Sequence, residues 1–184
     1  MKNQHALNLG LSLAAIGIVV FLLMAILPGN LWISMVLGIV SLGFAIYLPI
    51  RFTKKQRREQ GGYITFKEVF LTAITGLVLS AVISFAFTYV YTSFIDTGYV
   101  DRQVKTSVKG TMKWLEGNMA DEQMEEILRE TEEKTREGFT PMGMVKSFGI
   151  YLAVYAVFSL ILAAVIKNEP EREVSSGSEE LIDR

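Results

Sequence analysis

Formal charge is absent from residues 7–50 and 69–95, and residues 144–166 carry one charge, Lys146. A bilayer core about 30 Å thick takes roughly 20 apolar residues of helix. Four stretches meet that length, at 7–27, 31–50, 69–95 and 144–166. A soluble bundle does not leave four such runs unmarked by charge. The pattern predicts an all-α, polytopic membrane protein with four transmembrane helices.

The connections differ sharply from one another. Pro28-Gly29-Asn30 is a turn tripeptide, because proline fixes φ and Gly-Asn tolerates positive φ; it makes the first two spans a tight antiparallel hairpin. Gly61-Gly62 can break a basic helix, and Thr65 with Glu68 has the spacing of a capping box, so the third helix begins near Phe66. Residues 96–142 are charged, with Val108, Met112, Leu115 and Met119 at helical spacing and Met124, Ile127 and Leu128 on a second strip. They predict two amphipathic helices broken near Gly117-Asn118, an insertion too long for a bare connection. Residues 1–167 then form one transmembrane domain. Residues 168–184, with Ser175-Ser176-Gly177-Ser178 and an excess of acids, read as a disordered tail.

Charge sets the orientation. Residues 51–68 hold six bases and two acids, whereas 96–142 hold seven bases and eleven acids. Short basic loops stay in the cytoplasm, so both termini are expected there and the insertion outside. Trp32, Tyr89, Tyr91 and Tyr99 then fall at the outer surface and Tyr47 and Tyr63 at the inner one, where such rings collect. Mean hydropathy of +0.35 agrees with a lipid environment. The apolar amino-terminal stretch is too long for a signal peptide and flows into a second span, so it is expected to be retained.

The most specific pattern is a four-residue recurrence of small and hydroxyl side chains on the third span: Thr72, Gly76, Ser80, Ser84, Thr88 and Thr92. Steps of four drift around a helix of 3.6 residues per turn. The row therefore suits close crossings with several neighbours, and a polar permeation path is the sharper alternative. Gly10 and Gly17 on the first span, and Ser34 with Gly38 on the second, are further packing marks. Tyr155, in the middle of the fourth span, lies level with Ser80 and Ser84, and its hydroxyl is expected to bond to that part of the third helix. Arg51, Lys54, Lys55, Arg57 and Arg58 account for retention on the inner side and can attract anionic headgroups. They lack the interleaved aromatics of a nucleic-acid platform.

Catalytic chemistry finds little to work with. The chain has one histidine, His5, and no cysteine, so triads, disulfides and thiolate sites are excluded. Asp121, Glu122, Glu125 and Glu126 read as the solvated face of a helix before they read as a cation site. No phosphate loop and no intramembrane carboxylate occurs in the sequence. Neither a cofactor nor a metal is expected, and the chain is not expected to be an enzyme.

Several stretches together resemble the bacterial four-span membrane proteins grouped as domain of unknown function family 4199. They are Leu7 with Gly10, the run Gly62-Tyr63-Ile64-Thr65-Phe66-Lys67-Glu68 leading into Thr72 and Gly76, and Tyr91, Phe94, Ile95 and Asp96 closing the third helix. Thr97 stands where that pattern has proline. The resemblance implies a multi-pass protein of a bacterial inner membrane and assigns no activity. The expected role is a non-enzymatic accessory or interaction protein, with lipids around it and a protein partner or second copy on residues 96–142. A small oligomeric transporter or lipid-handling protein is the alternative.

Overall fold

The computed structural model describes residues 2–27, 31–115 and 121–168. The turn expected at Pro28-Gly29-Asn30, the break near Gly117-Asn118 and nearly all of the acidic tail lie outside these residues. Six α-helices follow in order: α1 (Lys2–Ile26), α2 (Leu31–Glu59), α3 (Phe66–Val90), α4 (Tyr99–Leu115), α5 (Asp121–Gly138) and α6 (Pro141–Ile166). A π-helical turn, Tyr91–Ile95, extends α3. Four segments are long and apolar enough to cross a membrane: Gln4–Ile26, Trp32–Glu59, Phe66–Ile95 and Pro141–Ile166. Each outruns the span expected from charge alone, and α2 continues through Pro49 and the basic segment to Glu59.

The central element is α3, packed along α1 on one side and α6 on the other, while α2 lies against α1 and touches α3 and α6 sparingly. Apolar transfer does not drive this assembly, because lipid solvates leucine as well as another helix does; close backbone approach and polar contacts do. Small residues accordingly mark the α1–α3 seam. A Cβ placed on Gly10 would lie 2.9 Å from the Gly76 carbonyl oxygen, and one on Gly76 would lie 2.6 Å from Leu9 Cδ2. By contrast, nothing comes within 4 Å of a Cβ on Gly38. Glycine thus closes a helix pair at Gly10 and Gly76 and closes none at Gly38.

Polar clips fix the end that bears the bases. The Thr65 capping box starts α3 as expected: Glu68 N–H donates to Thr65 Oγ1 at 3.3 Å, and Thr65 N–H donates to Glu68 Oε2 at 3.1 Å. Gly61 and Gly62 reverse the chain at φ +79° and +94°, a region that L side chains resist. Ile64 and Asn168 exchange two backbone hydrogen bonds of 3.0 and 2.9 Å, which tie the carboxyl end of α6 to the α2–α3 connection. His5 Nε2 meets Glu59 at 2.9 Å, so the amino end of α1 is held there too.

At the opposite end, Phe21, Phe87, Tyr91, Tyr99 and Phe139 form a continuous cluster of ring contacts. It seats the α4–α5 hairpin on the bundle. Arg136 Nη1 donates to Asp101 at 2.7 Å across that hairpin, and Arg102 pairs with Asp96 at its base. Gly143 permits the sharp entry into α6, since a Cβ there would lie 1.9 Å from the Glu137 carbonyl oxygen. Lys146 Nζ donates to Glu137 at 2.5 Å.

Candidate functional site

The hydroxyl row of α3 has three different environments along its length. Near the basic end Thr72, 4% exposed, donates to Gln56 Oε1 of α2 at 2.7 Å, and Gly76 packs on Leu9 of α1. At the hairpin end Thr92 Oγ1 turns back to the Thr88 carbonyl at 2.9 Å. Between them Ser80, Ser84 and Thr88 line an open cleft of about 280 Å³. Thr72 and Gly76 thus lie against α2 and α1, whereas Ser80, Ser84 and Thr88 border the cleft. Ser84 serves both ends of the distinction, since its Oγ would lie 3.2 Å from a Cβ on Gly17 of α1.

All four spans contribute to the cleft. Leu13, Ile16 and Gly17 come from α1, Ser41, Phe44 and Ala45 from α2, and Tyr151 and Tyr155 from α6. It exists because α2 stays away from α3 and α6 at this depth while α1 closes on α3 through its glycines. Phe44 and Tyr151 line it with 39% and 46% of their surface still outside, so the cleft opens sideways between α2 and α6. Ser80 and Ser84 sit midway along the Phe66–Ile95 span, which places the cleft at the depth of the bilayer centre.

Tyr155 is level with Ser80 and Ser84, as depth matching requires, but the expected hydrogen bond is not made. Its ring stacks on Tyr151 at a centroid distance of 5.9 Å and packs against the Leu9–Leu13–Leu77 core. The hydroxyl has no hydrogen-bond partner among the described residues. The reason is steric: α6 is held against α3 by Val69, Ala73, Leu162 and Ala163 nearer the basic end, and at the level of Tyr155 the cleft separates the two hydroxyl-bearing faces. The lining carries no carboxylate and no basic group. What it offers is a set of hydroxyl donors and acceptors between aromatic and aliphatic walls. Such a surface accepts an uncharged molecule with a few oxygens and rejects an ion, whose transfer to this depth is costly.

Among the five bases expected to meet anionic lipid, Arg51, Lys54, Lys55 and Arg58 are exposed. Arg57 is half-buried and donates through Nε to the Gly62 carbonyl at 2.9 Å, so it braces the loop. Sequence reasoning missed Gln56, 2% exposed amid these bases, and the cleft residues Ser41, Phe44 and Tyr151. Two signals were present: Thr53 and Gln56 continue from Pro49 at helical spacing into the charged segment, and Tyr151 stands four residues before Tyr155. Among the described residues no group of His, Cys, Asp or Glu has the arrangement of a metal site.

Neither a curated protein nor a solved structure matches the chain. Residues 8–168, from the first span through the end of α6, match the family described as Protein of unknown function (DUF4199). Because that match takes in all four membrane-capable helices and the hairpin between the last two, the chain belongs to the DUF4199 family.

Proposed function

We propose that this protein is a non-enzymatic, lipid-handling protein of the bacterial inner membrane, which takes an uncharged amphiphile from the bilayer into the cleft between its four spans. The observation that carries this reading is that Ser80, Ser84 and Thr88 face an open, laterally accessible space with Tyr151 and Tyr155 across it. Had the row been fully buried against other helices, packing alone would account for it. The excess of bases at 51–68 supports a cytoplasmic location for both termini.

Ser80→Leu fills the cleft without touching the Gly10–Gly76 seam or the Ser84–Gly17 contact, whereas a bulky residue at Gly76 breaks that seam and tests packing. Neutral lipids retained by the purified protein are read by native mass spectrometry, and their movement across liposomes by a scrambling assay. Loss of both in Ser80→Leu, with unchanged melting, is the expected result. Retention and transfer that survive the filling of the cleft overturn the reading.

A second role, as an accessory that engages a protein partner or another copy, is favoured by the α4–α5 hairpin. It is seated on the bundle through Tyr99 and Phe139 and leaves Trp114 84% and Met112 42% exposed. Cross-linking from Trp114 that recovers only lipid counts against it.

A further inference from the structure

The α4–α5 hairpin carries charge that its own chain leaves unanswered. On α4, Lys105, Lys109 and Lys113 stand four residues apart, all exposed, and none forms an ion pair among the described residues. On α5 the same is true of Glu122, Glu125 and Glu126. Like charges one turn apart disfavour a helix. Each helix thus holds a repulsion that a counter-charge from outside relieves.

The two rows share one face of the hairpin. Asp101, one turn before Lys105, accepts from Arg136 at 2.7 Å, and Arg136 also donates to Glu132 at 3.1 Å, on the row that continues through Glu125 and Glu122. Between the rows a groove of about 550 Å³ exposes Val108 of α4 and Leu128 of α5, with Glu122, Glu125 and Glu132 along its α5 side. Met112, 42% exposed, stands one turn beyond Val108. The face therefore has a basic side, an apolar middle and an acidic side.

We propose that a second copy of this chain docks on that face, hairpin against hairpin, about a two-fold axis along the membrane normal. The proposal rests on the reading of the hairpin as an interaction element and names its partner. A two-fold relating copies inserted the same way in one bilayer lies along the normal, so groups at equal height meet. The Asp101–Arg136 contact sets those heights: residue 109 lies level with 128, and residue 113 with 124. Lys109 and Lys113 of one copy therefore come opposite Glu125 and Glu122 of the other, and the symmetry repeats both contacts. Met112 leans towards the amino end of its helix, as long helical side chains do, and so enters the Val108–Leu128 groove of the other copy. An anionic bilayer surface would meet the basic row but repel the acidic row beside it. An unrelated protein has no reason to carry both rows inverted at matching heights.

The test is the monomer–dimer equilibrium of the full chain in liposomes, read by single-molecule photobleaching over a dilution series. Two variants each reverse one row: Lys109→Glu with Lys113→Glu makes both rows acidic, and Glu122→Lys with Glu125→Lys makes both basic. Each alone should dimerise about tenfold or more weakly than wild type, because exposed ion pairs are lost and like charges are opposed, with unchanged circular dichroism. Mixed in equal amounts, the two should dimerise with each other to within about threefold of wild type. A monomeric wild type, variants that dimerise as wild type does, or a mixture that stays monomeric each overturns the proposal. If wild type is monomeric and Trp114 cross-links to a different protein, only the second copy falls; if it cross-links to lipid alone, the accessory role falls with it.

Discussion

Replacing Gly76 by alanine adds a methyl group where the chain leaves no room for one. Its Cβ would stand 2.6 Å from Leu9 Cδ2 and 2.7 Å from Leu9 Cγ, and Leu9 is fully buried. Rotating the leucine clears a terminal methyl but not its branch carbon, so α1 and α3 must separate at their closest point. Overpacking of this kind costs about 1–3 kcal/mol, against a gain of about 1 kcal/mol from replacing glycine inside a helix. Gly38→Ala isolates the second term, since nothing lies within 4 Å of that Cβ. The difference between the two variants should therefore be about 1–3 kcal/mol, with Gly38→Ala the more stable. Leu9→Ala supplies the converse: combined with Gly76→Ala it makes room for the methyl, and the pair should show a favourable coupling of about 1–3 kcal/mol. Denaturant titration in mixed micelles measures all four proteins. Equal stability of Gly76→Ala and Gly38→Ala, or additive effects of the Leu9 and Gly76 changes, would show that the seam is not where these distances put it.

Four further outcomes follow from single contacts. Thr65→Ala removes the oxygen that accepts from Glu68 N–H and should cost about 1 kcal/mol, read in the same titration. Gly143→Ala forces a Cβ onto the Glu137 carbonyl and should cost about 3 kcal/mol or more, with increased amide exchange over residues 137–143. Ser159→Ala should raise stability by about 1 kcal/mol, because its Oγ is enclosed without a partner among the described residues; a loss would mean that the hydroxyl has one in the membrane. The hydrogen bond from Arg102 holds the Asp96 carboxyl below its ordinary 3.8, and that from Lys146 holds Glu137 below 4.5. Folded values below the unfolded ones mean that this stabilisation is complete above about pH 4.5 and is lost as pH falls through the folded values, so exchange at residues 96–102 and 137–143 should rise only on that acid side.

Much of this architecture is legible in the sequence because charge and lipid are incompatible. Runs without a formal charge locate the spans, Thr65 and Glu68 locate the start of α3, and the Val108 and Ile127 strips locate the hairpin helices. Facing is harder to read. The spans are apolar on every side, so no stripe says which residues meet, and Gly10 and Gly76 look no different in the sequence from Gly38. Only the three-dimensional crossing distinguishes a glycine that touches a carbonyl from one that faces nothing. Gln56 was hidden for another reason: six bases within residues 51–68 dominate the local reading and conceal one uncharged amide turned inward. Tyr155 shows the limit of depth matching, which gives height along the bilayer normal but not the width of the gap across it.

That gap persists for a physical reason particular to lipid. In water, apolar walls such as Leu13, Ile16, Phe44 and Phe85 would collapse on one another, because each Å² removed from solvent contributes about 25 cal/mol. In a bilayer the alternative to wall-on-wall contact is wall-on-chain contact, which is nearly as good. The cleft therefore has little tendency to close, and an acyl chain alone gains little by filling it. Discrimination among occupants falls to the few groups that lipid tails cannot satisfy, namely the hydroxyls of Ser80, Ser84, Thr88, Tyr151 and Tyr155. Tyr155→Phe removes one of these without changing the volume, so it should weaken an oxygen-bearing occupant by about 1 kcal/mol, roughly fivefold, and leave a hydrocarbon probe of the same length unaffected. Equal weakening of both would mean that the ring, and not the hydroxyl, selects what enters.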